Sequence, residues 1–323
     1  MNTDASKVCS VVCVTYNHAA YSRIAIESIA NQTYPHIEIV VVDDGSTDGN
    51  DKILKEVLEA SGRPFKLLLQ ENTGNVAMNC NRALAAATGD YLSVLSLDDI
   101  LYPDCISSKM EFLCADSNLA FVANTCNVEI DRDGHTTNSQ FRSGLFEKNL
   151  SSAEELLEHE FHNIGTFYVQ GAVFRLDVIR KFGGYDEDMV GDDLIFRTKL
   201  FQYMITHPDL SFLLMHRPGM AYRKHDTNIH LNVWRQVKTV IEWKNRYFPD
   251  RLLPQLAVRW TEHLFNQSAK QARLEDIQRA IEFDPQLNQI YQAYKSTWKG
   301  RRRIAKATIR SVFRYFHKRL LSL

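Results

Sequence analysis

Short apolar runs rich in β-branched residues alternate with segments of helical periodicity along the first 125 residues. The runs are "VCSVVCV", "IEIVVV", "FKLLL" and "YLSVLS", and the helical patterns cover residues 20–31, 50–60, 76–87 and 103–115. Strands buried on both faces read as continuous apolar stretches, so this alternation predicts an α/β fold with a mostly parallel central sheet flanked by helices. Ligands of such sheets bind at the carboxyl ends of the strands. Polar clusters fall at three of those ends: Thr15, Tyr16 and Asn17 after the first run, "DDGSTD" (residues 43–48) after the second, and Asp98 with Asp99 after the fourth.

Beyond Asn232 the pattern becomes helical, with Val233, Trp234, Val237, Val240 and Ile241 on one face. Pro249, Pro254 and Pro285 divide this region into short helices. The expected organisation is an α/β domain over 1–230, in two halves (1–125 and 126–230), followed by a helical region over 231–323. No apolar stretch reaches the length of a membrane span, and the opening "MNTDASK" lacks the build of a secretory signal. A cytoplasmic location is therefore expected. The six cysteines show no Cys-x-x-Cys pair and no histidine at zinc spacing, which reads as reduced packing residues.

Charge changes the picture at one end only. The formal net charge is −1, yet residues 299–323 hold nine Lys or Arg and no acid. With those nine set aside, 29 of the 38 Lys and Arg remain against 39 Asp and Glu, so the body is acidic. A nucleic-acid reader carries its cations on the folded body, which argues against that class. On a helical wheel Ile304, Thr308, Ile309, Val312, Phe313, Phe316 and Leu320 share one half of the tail, and Arg303, Lys306, Arg310, Arg314, His317 and Lys318 the other. Such a helix docks on an anionic membrane surface, or alternatively packs on the acidic body.

The stretch "LSVLSLDDILYPD" (residues 92–104) runs a buried strand directly into two aspartates. Buried carboxylates need solvent, a partner or a cation. "DDGSTD" also reads as a turn and helix cap. The chain has neither a Gly-x-Gly-x-x-Gly turn nor a Walker lysine loop, the usual backbone cradles for phosphate, and a divalent cation can hold a diphosphate in their place. The "DRDG" run at 131–134 superficially resembles a metal loop and reads better as a hairpin turn.

The segment "VTYNHAAYSRIAIESIANQTYPHIEIVVVDDGSTDGN", followed in order by "NTGN", "NRALAAATGDYLSVLSLDDILYPD", "GAVFRLDVIRKFGGYDED", "GDDLIFRTKL" and "YRKHDTN", resembles the family 2 glycosyltransferases of bacterial surface-polysaccharide type, from about Val8 to Ile229. That resemblance implies the GT-A fold, a nucleotide-sugar donor on the 1–125 half, an acceptor on the 126–230 half, Mn²⁺ or Mg²⁺, and transfer with inversion at the anomeric carbon. By position it implies that Thr15, Tyr16 and Asn17 contact the nucleoside and that Asp43 or Asp44 accepts the imide proton of the base. It also implies that Asp99 first and Asp98 second hold the metal, the neighbouring carboxylate hydrogen-bonding ribose or a metal-bound water. Members often carry an Asp-x-Asp-Asp sequence at this point, whereas Ser96 occupies its first place here.

In the second half the resemblance places the general base at Asp193, with Asp192 as the alternative; the two acids also suit a helix N-terminus. His225 closes over the metal or diphosphate, and Arg223 pairs with phosphate. The expected function is transfer of a sugar, from a UDP donor, to a saccharide acceptor that is polyprenyl-diphosphate-linked at the inner face of the cytoplasmic membrane. The rivals are a catalytically inactive nucleotide-sugar-binding scaffold, which the Ser96 departure keeps open, and a nucleotidyltransferase, which generally needs a glycine-rich N-terminal loop with basic triphosphate ligands.

Overall fold

The computed structural model describes residues 7–146, 148–189, 193–225 and 232–320. The chain divides into two compact units, residues 1–226 and 227–323.

In the first unit the parallel core forms where the apolar runs predict it. Strands β1 (Cys9–Thr15), β2 (Ile37–Asp43), β3 (Phe65–Leu69) and β4 (Tyr91–Val94) alternate with helices α1 (Ser22–Ala30), α2 (Asn50–Ala60) and α3 (Val76–Ala86). β2 is buried at all seven positions, as a strand covered on both faces must be. After β4 the chain makes a tight turn through Asp98 and Asp99 into the two-residue β5 (Ile100–Leu101), then α4 (Ser107–Ala115). The helical pattern expected from Pro103 begins four residues later, because residues 103–106 are turns that lead into the helix.

The later elements are β6 (Leu119–Ile130), β7 (Thr136–Arg142), α5 (Ala153–Asn163), β8 (Val173–Arg175), α6 (Leu176–Phe182), α7 (Asp193–Ile205) and β9 (Ser211–Arg223). Among the described residues nine strands make one sheet, in the order β3-β2-β1-β4-β8-β6-β9-β5, with β7 on β6. β1, β2, β3 and β4 pair in parallel, whereas β8 is antiparallel to both β4 and β6. The sheet is thus parallel in its first half and mixed overall. β6 and β7 form the hairpin expected at 131–134, with Gly134 at φ 94°.

One face of the sheet buries an aromatic cluster: Phe121 stacks on Phe167 at 4.9 Å and on Phe212 at 5.5 Å, and Phe174 meets Phe196 edge-on at 5.2 Å. Burial of each ring contributes about 1.5–3 kcal/mol. Within this hydrophobic layer lies a fully satisfied ion pair. Arg197 donates Nη2 and Nε to the two carboxylate oxygens of Glu160, both at 3.0 Å, and Nη1 to the Phe167 carbonyl. Glu160 also accepts from Gly165 N–H, Thr166 N–H and Thr166 Oγ1. Burial raises the Glu160 pKa, but the Arg197 charge and these hydrogen bonds outweigh it and hold the carboxyl below its ordinary value. The pair ties α5 to α7, the helix that starts at Asp193.

The second unit consists of α8 (Val233–Tyr247), α9 (Gln255–Gln271), α10 (Leu274–Phe283), α11 (Pro285–Ser296) and α12 (Trp298–Leu320), which share a core of Val237, Ile241, Leu264, Phe265, Ile277 and Leu287. The proline breaks fall between helices as expected. Pro285 opens α11, where its missing N–H costs nothing, and Asp284 caps the helix through Gln286 N–H at 2.8 Å.

α12 departs from a wholly free amphipathic helix. Ala307 is buried and Ile304 packs on the unit's core, while Arg303 bonds Asn266 and Arg310 bonds the Lys270 carbonyl. Ile309, on the same half of the wheel as Ile304, is 57% exposed. The first half of the tail is thus partly an internal packing element, because Ala307, small and between cations, lets the helix sit close to α9. All six cysteines are free, five of them buried, in keeping with packing roles. No described helix is long and apolar enough to cross a membrane.

Candidate active site

The carboxyl ends of β1, β2 and β4 are adjacent because these strands pair in parallel and in register: Thr15 lies beside Asp43, and β4 flanks β1 on its other side. The polar residues at these ends bind one another before anything else. Asn50 Nδ2 donates to Asp43 Oδ2 at 2.9 Å and to Thr15 Oγ1 at 3.2 Å, and Asp43 Oδ1 receives Ser46 N–H at 2.7 Å. Asn17 takes a left-handed φ of 56°; its N–H reaches Ser46 Oγ at 2.8 Å and its Oδ1 accepts Thr47 N–H at 2.8 Å. Asn17 therefore clasps the β1 loop to the β2 loop, and Tyr16, 46% exposed, is left as an open aromatic surface.

Asp44 is the more heavily bound of the second pair. Its Oδ1 accepts from Gln70 Nε2, Thr73 N–H and Thr73 Oγ1 at 2.8–2.9 Å, and its Oδ2 from Gly74 N–H at 3.1 Å. Burial raises its pKa and these donors more than reverse the effect, so the carboxyl stays below its ordinary value and ionised. The loop approaches this closely only because of Gly45, at φ 75°: a Cβ there would come 2.6 Å from Asn72 N.

The acidic pair after β4 is built differently. Asp98 Oδ2 meets His225 Nε2 at 3.0 Å, and Asp99 Oδ1 receives the Arg223 backbone N–H at 2.7 Å. The other oxygens, Asp98 Oδ1 and Asp99 Oδ2, are buried with no hydrogen-bond partner among the described residues. Burial, then the neighbouring Asp98 charge, drives the Asp99 pKa well above the usual carboxylate range, against the pull of Arg223 and the Gln170 side chain. Two adjacent carboxylates, each with a bare buried oxygen, are donors of the type a hard divalent cation takes, and the His225 ring nitrogen lies beside Asp98; the described residues that already gather three such ligand atoms within 4.8 Å are Asp131, Asp133 and His135 of the hairpin. The first place of the fuller acidic sequence is Ser96, whose backbone N–H is held by Gln170 Oε1 at 2.8 Å.

Arg223 sits differently from the phosphate-pairing cation expected from sequence. Its Nε donates to the Asp98 carbonyl at 2.8 Å, and its Nη1 to the Asp131 and Arg132 carbonyls at 3.2 and 2.9 Å. The guanidinium braces the acidic turn against the β6–β7 hairpin and covers the Tyr21 ring at 4.9 Å. Tyr21 in turn stacks on His225, with ring centroids 5.4 Å apart.

Asp193, the last residue of "GDD", is the first residue of α7, ahead of the apolar positions Leu194, Phe196, Leu200 and Phe201, while Asp192 lies outside the described residues. Tyr222, which the sequence does not mark, pairs with Glu129 across β6 and β9 and stacks on Phe141 at 6.0 Å. Burial raises its pKa first, and the charges of Asp99, Asp98, Asp193 and Glu129 raise it further. His18 was also not singled out. Its Nδ1 is buried without a partner among the described residues, its ring lies 6.3 Å from that of His225, and burial lowers its pKa despite the Asp98 charge. The only sequence signal for either residue is adjacency, His18 to "TYN" and Tyr222 to Arg223.

Strand ends of this kind, on a sheet whose parallel half carries the acids and whose mixed half approaches them from β9 and α7, define a GT-A glycosyltransferase fold. The model of Glycosyl transferase family 2 matches residues 10–183, and the chain belongs to that family. A curated relative, the minor teichoic acid biosynthesis protein GgaA of Bacillus subtilis (strain 168), is 24% identical over 197 residues, 59% of this chain and 42% of its own length. Matched stretches span 34–44% of the length of the first curated relatives. Two solved structures share the fold at low identity. S. aureus TarS 1–349 in complex with UDP-GlcNAc superposes with a TM-score of 0.56 at 15% identity, covering 93% of this chain and 79% of TarS 1–349. The mannosyltransferase PcManGT from Pyrobaculum calidifontis, in complex with GDP-Man and Mn²⁺, gives 0.54 at 16%, covering 95% of this chain and 87% of its own.

Proposed function

We propose that this glycosyltransferase is an inverting enzyme that moves a sugar from a UDP donor to a saccharide acceptor carried on a polyprenyl diphosphate, in the synthesis of a cell-surface polysaccharide. The observation that carries the reading is the pair of bare, buried oxygens on Asp98 and Asp99 at the donor end of the sheet. Asp99, Asp98 and His225 would hold Mn²⁺ or Mg²⁺, which supplies charge neutralisation for the departing diphosphate. Tyr16 offers a face on which a base stacks, and Asp44, kept ionised, accepts an imide proton. Asp193 takes the proton of the attacking acceptor hydroxyl. The UDP-GlcNAc complex of TarS, the Mn²⁺ complex of PcManGT and the teichoic acid role of GgaA support the donor, metal and polymer parts in turn.

The decisive measurement is UDP release from a panel of UDP-sugars with Mn²⁺, with and without short saccharide acceptors, alongside UDP calorimetry. Asp99→Asn is expected to fold normally and lose Mn²⁺-dependent UDP affinity by about tenfold or more, while chelation produces the same loss in the wild type. Equal UDP affinity with Mn²⁺, with chelator and in the variant would remove the metal from the reading. Pyrophosphate release in place of sugar transfer would favour the nucleotidyltransferase, and binding without turnover the scaffold.

The membrane part rests on α12. Arg301, Arg302, Lys306 and Arg310 are exposed together with Ile309 and Trp298, and each cation near an anionic surface contributes about 1 kcal/mol. Replacing Arg301, Arg302 and Lys306 with Glu leaves Ile304 and Ala307 in their packing and is expected to abolish sedimentation with anionic vesicles at low salt. Unchanged sedimentation, or equal binding to neutral vesicles, would assign α12 to packing alone.

A further inference from the structure

We propose that Asn81, with Asn75 beside it, is a positioning residue that fixes the segment leading to the base Asp193; the inference rests on the role proposed for that carboxylate. Asn81 lies on α3, far from Asp193 in sequence, and its carboxamide pairs with the backbone of Tyr185 as a neighbouring strand residue would. Asn81 Nδ2 donates to the Tyr185 carbonyl and Asn81 Oδ1 accepts Tyr185 N–H, both at 2.9 Å. The same Nδ2 reaches Glu187 Oε1 at 2.9 Å, and Asn75 Nδ2 donates to the Glu187 carbonyl at 2.7 Å.

From the other side, Lys199 of α7 bonds Asp186 Oδ1 at 2.6 Å. Residues 185–187 are thus fastened to α3 and to the helix that begins with Asp193. The approach requires Gly184: at φ 62°, a Cβ there would lie 2.7 Å from Asn81 Oδ1 and 2.9 Å from Leu84 Cδ2. No residue of similar size other than asparagine supplies one acceptor and two donors in this plane. The anchor also continues towards the nucleotide side. Asn75 N–H donates to Thr73 Oγ1 at 3.2 Å, and Thr73 donates through N–H and Oγ1 to Asp44. The carboxylate proposed to read the base and the loop proposed to aim the general base therefore hang on one short segment, residues 73–75, and on one helix. A misplacement of about 1 Å at a reacting group can cost about a hundredfold in rate.

The test uses the full chain with UDP and the UDP-sugar panel as probes. Asn81→Ala is expected to keep UDP affinity with Mn²⁺ within about twofold, to lower the rate of UDP release by about 10- to 100-fold, and to speed amide hydrogen exchange at residues 185–189 selectively. Asn81→Asp, which keeps the acceptor for Tyr185 N–H but sets a carboxylate oxygen against the Tyr185 carbonyl and Glu187 Oε1, should lose at least as much turnover as Asn81→Ala. Wild-type turnover in Asn81→Ala, or UDP affinity and turnover lost in the same proportion, overturns the proposal. If the wild type turns over none of the sugars, the role of Asp193 falls separately, and exchange decides the clasp: unchanged exchange at 185–189 overturns it, and selective acceleration upholds it.

Discussion

Asp193→Asn lowers UDP release and sugar transfer by about 10²- to 10⁴-fold at unchanged UDP affinity, the usual contribution of a positioned proton acceptor. The expectation follows from where the carboxylate stands. As the first residue of α7 it faces the positive end of the helix dipole, which favours its ionised form. Asp193 is also among the charges that raise the Tyr222 pKa, after burial, Asp99 and Asp98. Asparagine preserves shape and the helix start while removing the proton acceptor. Asp192→Asn is the control: full loss there with normal turnover in Asp193→Asn moves the base by one residue, and activity in both variants places it elsewhere.

Glu160→Gln destabilises the fold by about 3–5 kcal/mol, because it leaves the Arg197 guanidinium buried beside a neutral amide. The pH dependence has a definite sign. Glu160 titrates lower in the folded than in the unfolded chain, so its stabilising contribution is complete above the unfolded value of about 4.3 and fades as pH falls through the folded value. The stability gap between wild type and variant, from urea unfolding, should therefore be constant above about pH 5 and narrow below about pH 4. A gap under about 1 kcal/mol at neutral pH, or one that widens with acid, would show that the pair is not what secures α7.

The parallel half of the fold was legible because its strands announce themselves as apolar runs, and the polar residues that follow those runs fall at adjacent strand ends because the strands pair in parallel. The roles within the site were harder to read. Sequence offers Arg223 as a phosphate ligand and gives no sign of the three backbone carbonyls that its Nε and Nη1 hold. Asp43 and Asp44 are indistinguishable in sequence, yet one holds Ser46 and Asn50 and the other the 70–74 loop. His18 and Tyr21 come to the site through their rings' approach to His225, more than 200 residues away in sequence, which no local period encodes. The helical wheel of the tail likewise does not show that burial runs through Ile304 and Ala307, the second of them on its cationic side, while Thr308 and Ile309 stay exposed.

The placement of β8 carries a cost during synthesis. Leu92 of β4 pairs with Phe174 of β8, and only through β8 does β4 connect to β6. Until the ribosome has passed residue 175, the outer edge of β4 has no strand to pair with. At about 5–20 residues per second that interval lasts roughly 4–16 s. A nascent sheet with an open apolar edge is a template for pairing with other chains. The closing contact is as non-local as the pairing of β1 with β4, Leu92 with Phe174 and Cys9 with Tyr91, so both form slowly relative to the more local β1–β2 pair. Chaperone demand for this chain should consequently peak after the donor half has emerged and fall once the "GAVFRLD" segment is free to insert.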